Sequence, residues 1–158
     1  MHENTSRSED EITIRSMTPS DAKEAAALSS ELGYPVSAEV MEARLHQFAT
    51  LQDHAVYVAC LQGSVVGWID IGAVYHLQSP PYGEIGGLIV SAHYQGCGIG
   101  RRLMQAAEQW IESRKLTKVL VRSHIKREAA HAFYLRQNFS RLKTQAVFTK
   151  SVRNSITQ

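Results

Sequence analysis

The chain lacks the sequence features of a secreted or membrane-spanning protein. Only two of its 158 residues are cysteines, Cys60 and Cys97, which is too few for a disulfide framework and typical of free thiols in a reducing compartment. No apolar run approaches the length of a membrane span. The N-terminal segment is polar and has no apolar core of the kind found in signal peptides. We therefore expect a cytoplasmic protein with no membrane partner.

A strong net charge and metal-ligand spacing are lacking as well. The formal net charge is +2, which is too small to indicate a nucleic-acid partner. The seven histidines are scattered, with no His-x-x-x-His on a helix and no cysteine pair, so we expect no metal site. The hydrophobic content of 44% is ordinary for a globular protein. We expect a flexible tail over residues 1–10, a single domain over 11–150 and a frayed end over 151–158.

The clearest pattern that is present is a glycine-rich segment between a strand and a helix. An apolar run, Ile85–Val90, precedes Gln95-Gly96-Cys97-Gly98-Ile99-Gly100, and an amphipathic helix follows. Backbone N–H groups at such a helix N-terminus are unpaired and carry partial positive charge, so they bind phosphate. The spacing does not match the dinucleotide fingerprint, and the chain has no Gly-Lys pair for a nucleoside-triphosphate loop. The segment therefore predicts another phosphorylated ligand, and the alternative is an ordinary tight turn.

Periodicity and turn residues predict an alternating α and β order. A capping box at Thr18-Pro19-Ser20-Asp21 predicts a helix start, Gly33-Tyr34-Pro35 a break, and Ser37 the cap of a second helix. Further helices are expected at 98–114 and 127–137. Strands are expected at 12–15, 55–61, 65–74, 84–90 and 119–121, with a loop at 79–83 and two short final strands within 139–150.

The loop pattern Gln-x-x-Gly-x-Gly at 95–100 resembles the pyrophosphate loop of the GNAT superfamily of acyl-CoA-dependent N-acetyltransferases. Ile12-Thr13-Ile14-Arg15 resembles the first strand of that family, and Glu84 precedes Gln95 at a spacing similar to that of its histone-acetylating branch. The run 131–134, followed by 137–139, resembles the late helix of the family. The resemblance extends over residues 11 to 150.

This resemblance implies a fold and a cofactor. The implied fold is α+β, the GNAT fold, with a mixed, mostly antiparallel central sheet of 6–7 strands, splayed at the central strand, and four helices on both faces. Gly86-Gly87 suits a β-bulge at the start of such a splay. The implied cofactor is acetyl-CoA (coenzyme A). The residues implied to bind it are Leu88, Ile89, Val90, Gln95, Gly96, Cys97, Gly98, Ile99, Gly100, Arg101 and Arg127.

The sequence departs from the family pattern at two positions. Arg127 stands where members commonly carry an asparagine, which suggests a contact to a cofactor phosphate. Asn138 stands where a glycine is usual near the helix end, and asparagine also adopts the left-handed conformation of a helix cap.

Two residues are implied to carry the chemistry. Tyr134 is expected to donate a proton to the leaving thiolate, although paired aromatics on a helix also fit core packing. Glu84 is expected to take the proton of the attacking amine, although it also fits a solvent-facing strand end. Asp70 and His76 are rival bases or amine-binding groups. The acceptor is expected to be selected by Gly33-Tyr34-Pro35, with Tyr34 near it, by the first two helices and by the loop 75–82. A backbone N–H within 88–90 is implied to polarise the thioester carbonyl.

We expect an N-acetyltransferase that moves an acetyl group from acetyl-CoA directly to a primary amine of a small molecule or peptide, with a homodimer as one expected assembly. The first alternative is an aminoglycoside-modifying acetyltransferase, because the late strand 143–150 is similar to endings in that group and Asp70, Glu31 and Glu42 suit polycations. The second alternative is a non-catalytic acyl-CoA sensor, against which Tyr134 and Glu84 count.

Overall fold

The computed structural model describes residues 11–153. The tail predicted at 1–10, and residues 154–158 of the predicted frayed end, lie outside this range. The strands are β1 (Ile12–Ser16), β2 (His54–Leu61), β3 (Ser64–His76), β4 (Ser79–Val90) and β5 (Val119–Val121), and the α-helices are α1 (Ala22–Glu31), α2 (Ala38–Ala49), α3 (Ile99–Ser113) and α4 (Glu128–Arg136). The chain forms two compact units that divide between Arg122 and Ser123. None of the helices in the described range is both long and apolar enough to cross a membrane.

A mixed sheet organises the first unit. Its strand order is β1-β2-β3-β4-β5. The first four strands pair antiparallel, and β5 pairs parallel to β4. The turn between β2 and β3 uses two residues with positive φ, Gln62 and Gly63, which is the twist that a two-residue hairpin requires. The predicted α+β class and the mostly antiparallel sheet are confirmed, but residues 11–153 contain five strands and not six or seven.

The fourth strand begins earlier than predicted. Residues 79–83, which the sequence predicts to be a loop, are the first part of β4 and pair with the end of β3, as in Val74 opposite Tyr82. Pro80 and Pro81 indicated a loop because proline cannot donate a ladder hydrogen bond. They are tolerated because the β5 ladder begins only at Gly83, so one side of the strand is unpaired at both prolines.

Beyond its midpoint, β4 loses its second neighbour. The parallel ladder with β5 covers only Gly83, Glu84 and Ile85. Directly afterwards the register with β3 shifts, because Ile85 lies opposite Ile71 whereas Gly87 lies opposite Asp70. Gly86 is therefore the extra residue of a β-bulge, as the family resemblance implied. From Gly86 to Val90 the strand pairs only with β3 within the described sheet.

One face of the sheet is closely covered by α3. This helix buries a stripe that consists of Ile99, Leu103, Met104, Ala107, Trp110 and Ile111. A Cβ on Gly67 of β3 would come within 3.1 Å of the Ile99 side chain, and a Cβ on Gly83 would come within 2.8 Å of Ile111. Ile69 and Ile71, which follow Gly67 at alternate positions, are fully buried. Close approach of helix and sheet therefore selects glycine at these strand positions.

The opposite face carries α1 and α2. The predicted capping box is present before α1, where Asp21 accepts a hydrogen bond from the Thr18 backbone N–H at 2.8 Å. Asp21 also binds Arg15 of β1 through two hydrogen bonds of 2.8 Å, and this partner lowers the pKa of the buried Asp21 carboxyl to about 2. The Ser37 hydroxyl caps α2 by accepting from the Val40 N–H at 3.2 Å. Local chemistry therefore places both helix starts where the sequence predicted them.

The second unit contains α4 and the segment after it. Asn138 has φ 66°, so it takes the left-handed conformation expected at the end of the helix. The two final strands predicted within 139–150 are absent, since residues 139–153 of the described chain form neither helix nor strand. Apolar side chains in this segment, such as Val147 and Phe148, are exposed. A strand requires a paired neighbour, and sequence alternation does not show whether one is available.

Candidate active site

The glycine segment forms an open N-terminus for α3. Gly96 and Gly98 have φ values of 78° and 81°, a left-handed conformation that side chains with a Cβ rarely adopt. Gly98 is the N-cap residue, and Ile99 and Gly100 begin the helix. The first-turn N–H groups of an α-helix have no acceptor within the helix. The loop therefore has the backbone conformation and the donors that a diphosphate requires.

The two arginines after the loop differ in position. The Arg102 guanidinium donates a hydrogen bond to the Ile12 backbone oxygen of β1, which directs its charge toward the sheet. Arg101 lies half-buried in the first turn of α3. Gln95 is extended, with φ −65° and ψ 144°, and Cys97 is exposed and not in a disulfide. The role of Arg101 as a phosphate contact stays a prediction.

The unpaired part of β4 is joined to this loop by a single short 3-10 helix (Ala92–Tyr94). Leu88, Ile89 and Val90 lie beyond the last residue paired with β5. In an antiparallel pair, alternate residues direct their N–H and C=O groups away from the neighbouring strand. Part of this backbone therefore faces a side where the described sheet has no partner strand, as expected for a strand that binds an extended ligand arm.

A cavity of about 470 Å³ lies on the α1–α2 face of the sheet. Its walls are mostly apolar, and they include Met17, Met41, Leu45, Phe48, Val56 and Trp68. Its polar lining includes Ser29, Tyr34, Arg44 and Asp70. The volume and lining are those of a site for one small molecule, oriented by a few polar groups.

Asp70 is the carboxylate of this cavity, and the β-bulge determines its position. A Cβ on Gly86 would lie only 2.1 Å from Asp70 Oδ2, so the carboxylate occupies space that is open because residue 86 is glycine. Burial raises the pKa of the Asp70 carboxyl to about 6. Hydrogen bonds from the backbone N–H groups of Gly87 and Asp70 lower the pKa, but less than burial raises it. The carboxylate is therefore ionised at neutral pH and close to the range in which it can exchange a proton.

The comparisons with known proteins agree with this geometry. The sequence matches the model of the acetyltransferase (GNAT) family over residues 23–139. The chain belongs to this family. The match confirms the predicted membership, and with it the predicted class of enzyme, an acetyl-CoA-dependent N-acetyltransferase.

This GNAT protein is similar in sequence to two curated enzymes and in fold to a solved structure. The chain is 31% identical over 125 residues to an aminoglycoside N(6')-acetyltransferase type 1 from Stenotrophomonas maltophilia, which covers 76% of this chain and 80% of that enzyme. It is 33% identical over 107 residues to an aminoalkylphosphonate N-acetyltransferase from Salmonella typhimurium, covering 66% of this chain and 68% of that enzyme. Its fold resembles an aminoglycoside N-acetyltransferase in complex with CoA, with a TM-score of 0.80, 15% identity, and coverage of 89% and 95% of the two chains.

Two other predicted residues of this GNAT enzyme lie on β3 and β4 but do not line the cavity. Glu84 is opposite Gly72, two residues along β3 from Asp70, and its carboxylate binds the Arg122 guanidinium at 3.2 Å. His76 is exposed near the hairpin end and stacks on Tyr82, with ring centroids 6.0 Å apart. The structure therefore brings Asp70 and Tyr34 together in the cavity and leaves Glu84 and His76 outside its lining.

The remaining predicted residues belong to the second unit. The half-buried Tyr134 contacts Phe133 and Phe139 edge to face, with ring centroids 5.4 Å and 5.5 Å away. Arg127 is the N-cap residue of α4. The predicted roles of Tyr134 as an acid and of Arg127 as a cofactor contact stay predictions.

Sequence reasoning placed the acceptor at Gly33-Tyr34-Pro35 and the first two helices, but it named few individual residues of the cavity lining. Trp68 and Arg44 were not among the predicted site residues, although both contribute to the cavity. Trp68 lies two residues before Asp70 on β3, so strand alternation places them on one face. That signal was available, but no local pattern indicates that α2 approaches the same face. Among the described residues, no cluster of His, Cys, Asp and Glu could hold a metal ion.

Proposed function

We propose that the enzyme acetylates the primary amine of a small molecule that enters the cavity between α1, α2 and the sheet. One observation carries the proposal. The cavity carboxylate, Asp70, lies opposite Gly87, immediately after the bulge at which β4 loses its pairing with β5. The Asp70 carboxylate, which would face the amine, and the open edge of β4 are therefore close to each other on the paired strands β3 and β4.

The chain's own residues supply binding and proton transfer in this proposal. The backbone of residues 95–101 holds the diphosphate of acetyl-CoA, and the open edge at Leu88–Val90 holds its pantetheine arm and polarises the thioester carbonyl. Bound acetyl-CoA supplies the acetyl thioester. Asp70 holds the ammonium and takes its proton, because alkyl amines are mostly protonated at neutral pH. Glu84 remains the rival base, and Tyr134 the proton donor to the thiolate.

The experiment that tests this proposal is release of the CoA thiol across a panel of amines. The panel includes alkylamines, amino acids, peptides, polyamines and aminoglycosides. We expect Asp70→Asn to lower kcat/KM by about 100-fold or more, since positioned proton transfer contributes about 10²–10⁴-fold. Glu84→Gln is the matched change of carboxylate to amide on the same strand pair, and we expect it to lower kcat/KM by less than about tenfold.

The pH profile separates the two carboxylates. In the unmodified enzyme, kcat/KM is expected to rise as Asp70 loses its proton near pH 6. Asp70→Asn is expected to abolish this rise of kcat/KM near pH 6, and Glu84→Gln is expected to retain it. The reverse outcome would assign the base to Glu84, and no thiol release with any amine would reject the proposed function.

An aminoglycoside is the second candidate acceptor. The 31% identity to an aminoglycoside N(6')-acetyltransferase favours it. The predicted strand at 143–150, which also supported this alternative, is absent from the structure. The amine panel decides between aminoglycosides and the other primary amines as acceptors.

Cytoplasmic location and assembly as a homodimer complete the proposal. Two free cysteines support a reducing compartment. Light scattering of the purified chain tests the dimer, and a single species at 17.6 kDa would reject it.

A further inference from the structure

The charged groups of the cavity are one carboxylate and one guanidinium, Asp70 and Arg44. The rest of the lining is neutral, and most of it is apolar. A ligand carrying three or more ammonium groups would find one counter-ion here, and each additional buried cation would remain unpaired at a cost in free energy. The lining therefore disfavours a polycation.

Other acidic residues do not change this balance. Glu31 and Glu42, which the sequence suggested for polycations, are outside the cavity lining, and their carboxylates lie 3.6 Å from His93 and 3.7 Å from His46. Residues 123–158 contain seven Lys or Arg residues but a single acid, Glu128. The second unit therefore has only one carboxylate side chain that could pair with a polycation.

Arg44 indicates what the ligand carries besides its amine. It lies on α2 one residue before the buried Leu45, and it is exposed at the cavity. Within residues 11–153 its guanidinium has no hydrogen bond or ion pair. A planar guanidinium with available donors recognises carboxylate, phosphate or phosphonate oxygens in a two-point contact.

We propose that the acceptor is a small zwitterion, a primary amine that also carries an anionic carboxylate or phosphonate group, with its ammonium on Asp70 and its anion on Arg44. This inference rests on the proposed function, because it assigns the acceptor to the same cavity. The apolar walls accommodate the carbon chain between the two charges. The Asp70 carboxylate then pairs with the ammonium of the ligand, and the Arg44 guanidinium pairs with its anionic group.

The test compares amines that differ in one group. The probes are 3-aminopropylphosphonate, 4-aminobutyrate, n-butylamine and kanamycin, each with acetyl-CoA and the unmodified enzyme. We expect kcat/KM to be at least about tenfold higher for one of the two zwitterions than for n-butylamine and for kanamycin, since hydrogen bonds between charged groups are stronger than neutral ones.

Arg44→Ala is expected to reduce that preference over n-butylamine about tenfold, and Arg44→Lys to restore part of it. Lys23→Ala is the control, because it removes one exposed cation of α1 that is outside the cavity lining. Lys23→Ala should leave the preference unchanged. Binding of each probe to the CoA-bound enzyme, measured by calorimetry, gives a second readout that does not need turnover.

The outcomes separate this inference from the proposed function. If n-butylamine or kanamycin is acetylated as well as the zwitterions, or if Arg44→Ala lowers all substrates equally, the inference is overturned and the acetyltransferase remains. If no amine is acetylated but a zwitterion binds through Arg44, the assignment of the cavity to a zwitterion holds and the proposed function fails. If no zwitterion is acetylated and none binds to the CoA-bound enzyme, the inference is rejected.

Discussion

On one face of the sheet α3 packs directly onto the strands, whereas on the other face α1 and α2 border a cavity of about 470 Å³. The same strands form both faces of the sheet, because alternate residues of a strand point to opposite sides. Gly67, Ile69 and Ile71 serve the close-packed face, and Trp68 and Asp70 serve the cavity. One β-strand therefore supplies the packed core with one set of side chains and the cavity lining with the other.

The difference also concerns charge. The close-packed face buries only apolar side chains of α3. The cavity face keeps a carboxylate whose burial raises its pKa to about 6. An ionised group in such a position reduces stability at neutral pH, which is a usual cost of a functional site.

The largest expected effect is on the free energy of unfolding, which should respond differently to truncations on the two faces. Ile69→Ala removes a fully buried side chain from the α3 face, and we expect the free energy of unfolding to fall by about 4 kcal/mol. Met41→Ala, at the half-buried cavity wall, should cost less than about 1.5 kcal/mol because the cavity already limits its contacts. Urea unfolding measures both values, and equal costs would contradict the contrast between the faces.

The second expected effect concerns pH. The folded pKa of Asp70, about 6, lies above its ordinary value of 3.8, so its protonated form is favoured by folding. This contribution is fully present below pH 3.8 and is lost as the pH rises through 6, by up to about 3 kcal/mol.

Asp70→Asn should remove this dependence, so that the variant is more stable than the unmodified protein at pH 8 and loses most of that advantage at pH 4.5. Urea unfolding at the two pH values is the measurement, with Glu84→Gln as the matched control. A stability difference that is the same at both values would exclude the assignment of the raised pKa to Asp70.

The smallest expected effect concerns the bulge. Gly86→Ala would place a Cβ 2.1 Å from Asp70 Oδ2, so the carboxylate must turn away from its position in the cavity. We expect kcat/KM for the amine to fall about tenfold, with little change in the KM of acetyl-CoA. In an Asp70→Ala background the same substitution should have almost no further effect. A full additional loss in that background would mean that Gly86 acts independently of Asp70.

Sequence patterns predicted the elements whose signals are local. The capping residues Thr18 and Ser37, the strand β5 and the left-handed Asn138 are all where the sequence predicted them. Each depends on a side chain interacting with its own or a nearby backbone, which a short window contains. The glycine loop belongs to this class, since its positive φ values and its position before α3 follow from residues 96–100.

The errors concern pairing between distant segments. The prolines of β4 suggested a loop, and the alternation after Phe139 suggested strands, because a single segment does not show whether a neighbour is present. The question of which acid, Asp70 or Glu84, lines the cavity is a similar case. Both are single acids on apolar strands, and only the approach of α2 and the bulge at Gly86 place one of them in a cavity.

The sequence by itself determined the family, the glycine turn before α3 and the starts of the helices, because those features depend on the order of neighbouring residues and on backbone preferences. Only the tertiary structure decided that Asp70 lines the cavity, that Arg44 lies across from the sheet on the same cavity, and that β4 stops pairing with β5 at Ile85. These facts depend on which faces of separate elements meet. That choice is made by burial and pairing over the whole first unit, and no short stretch of residues contains it.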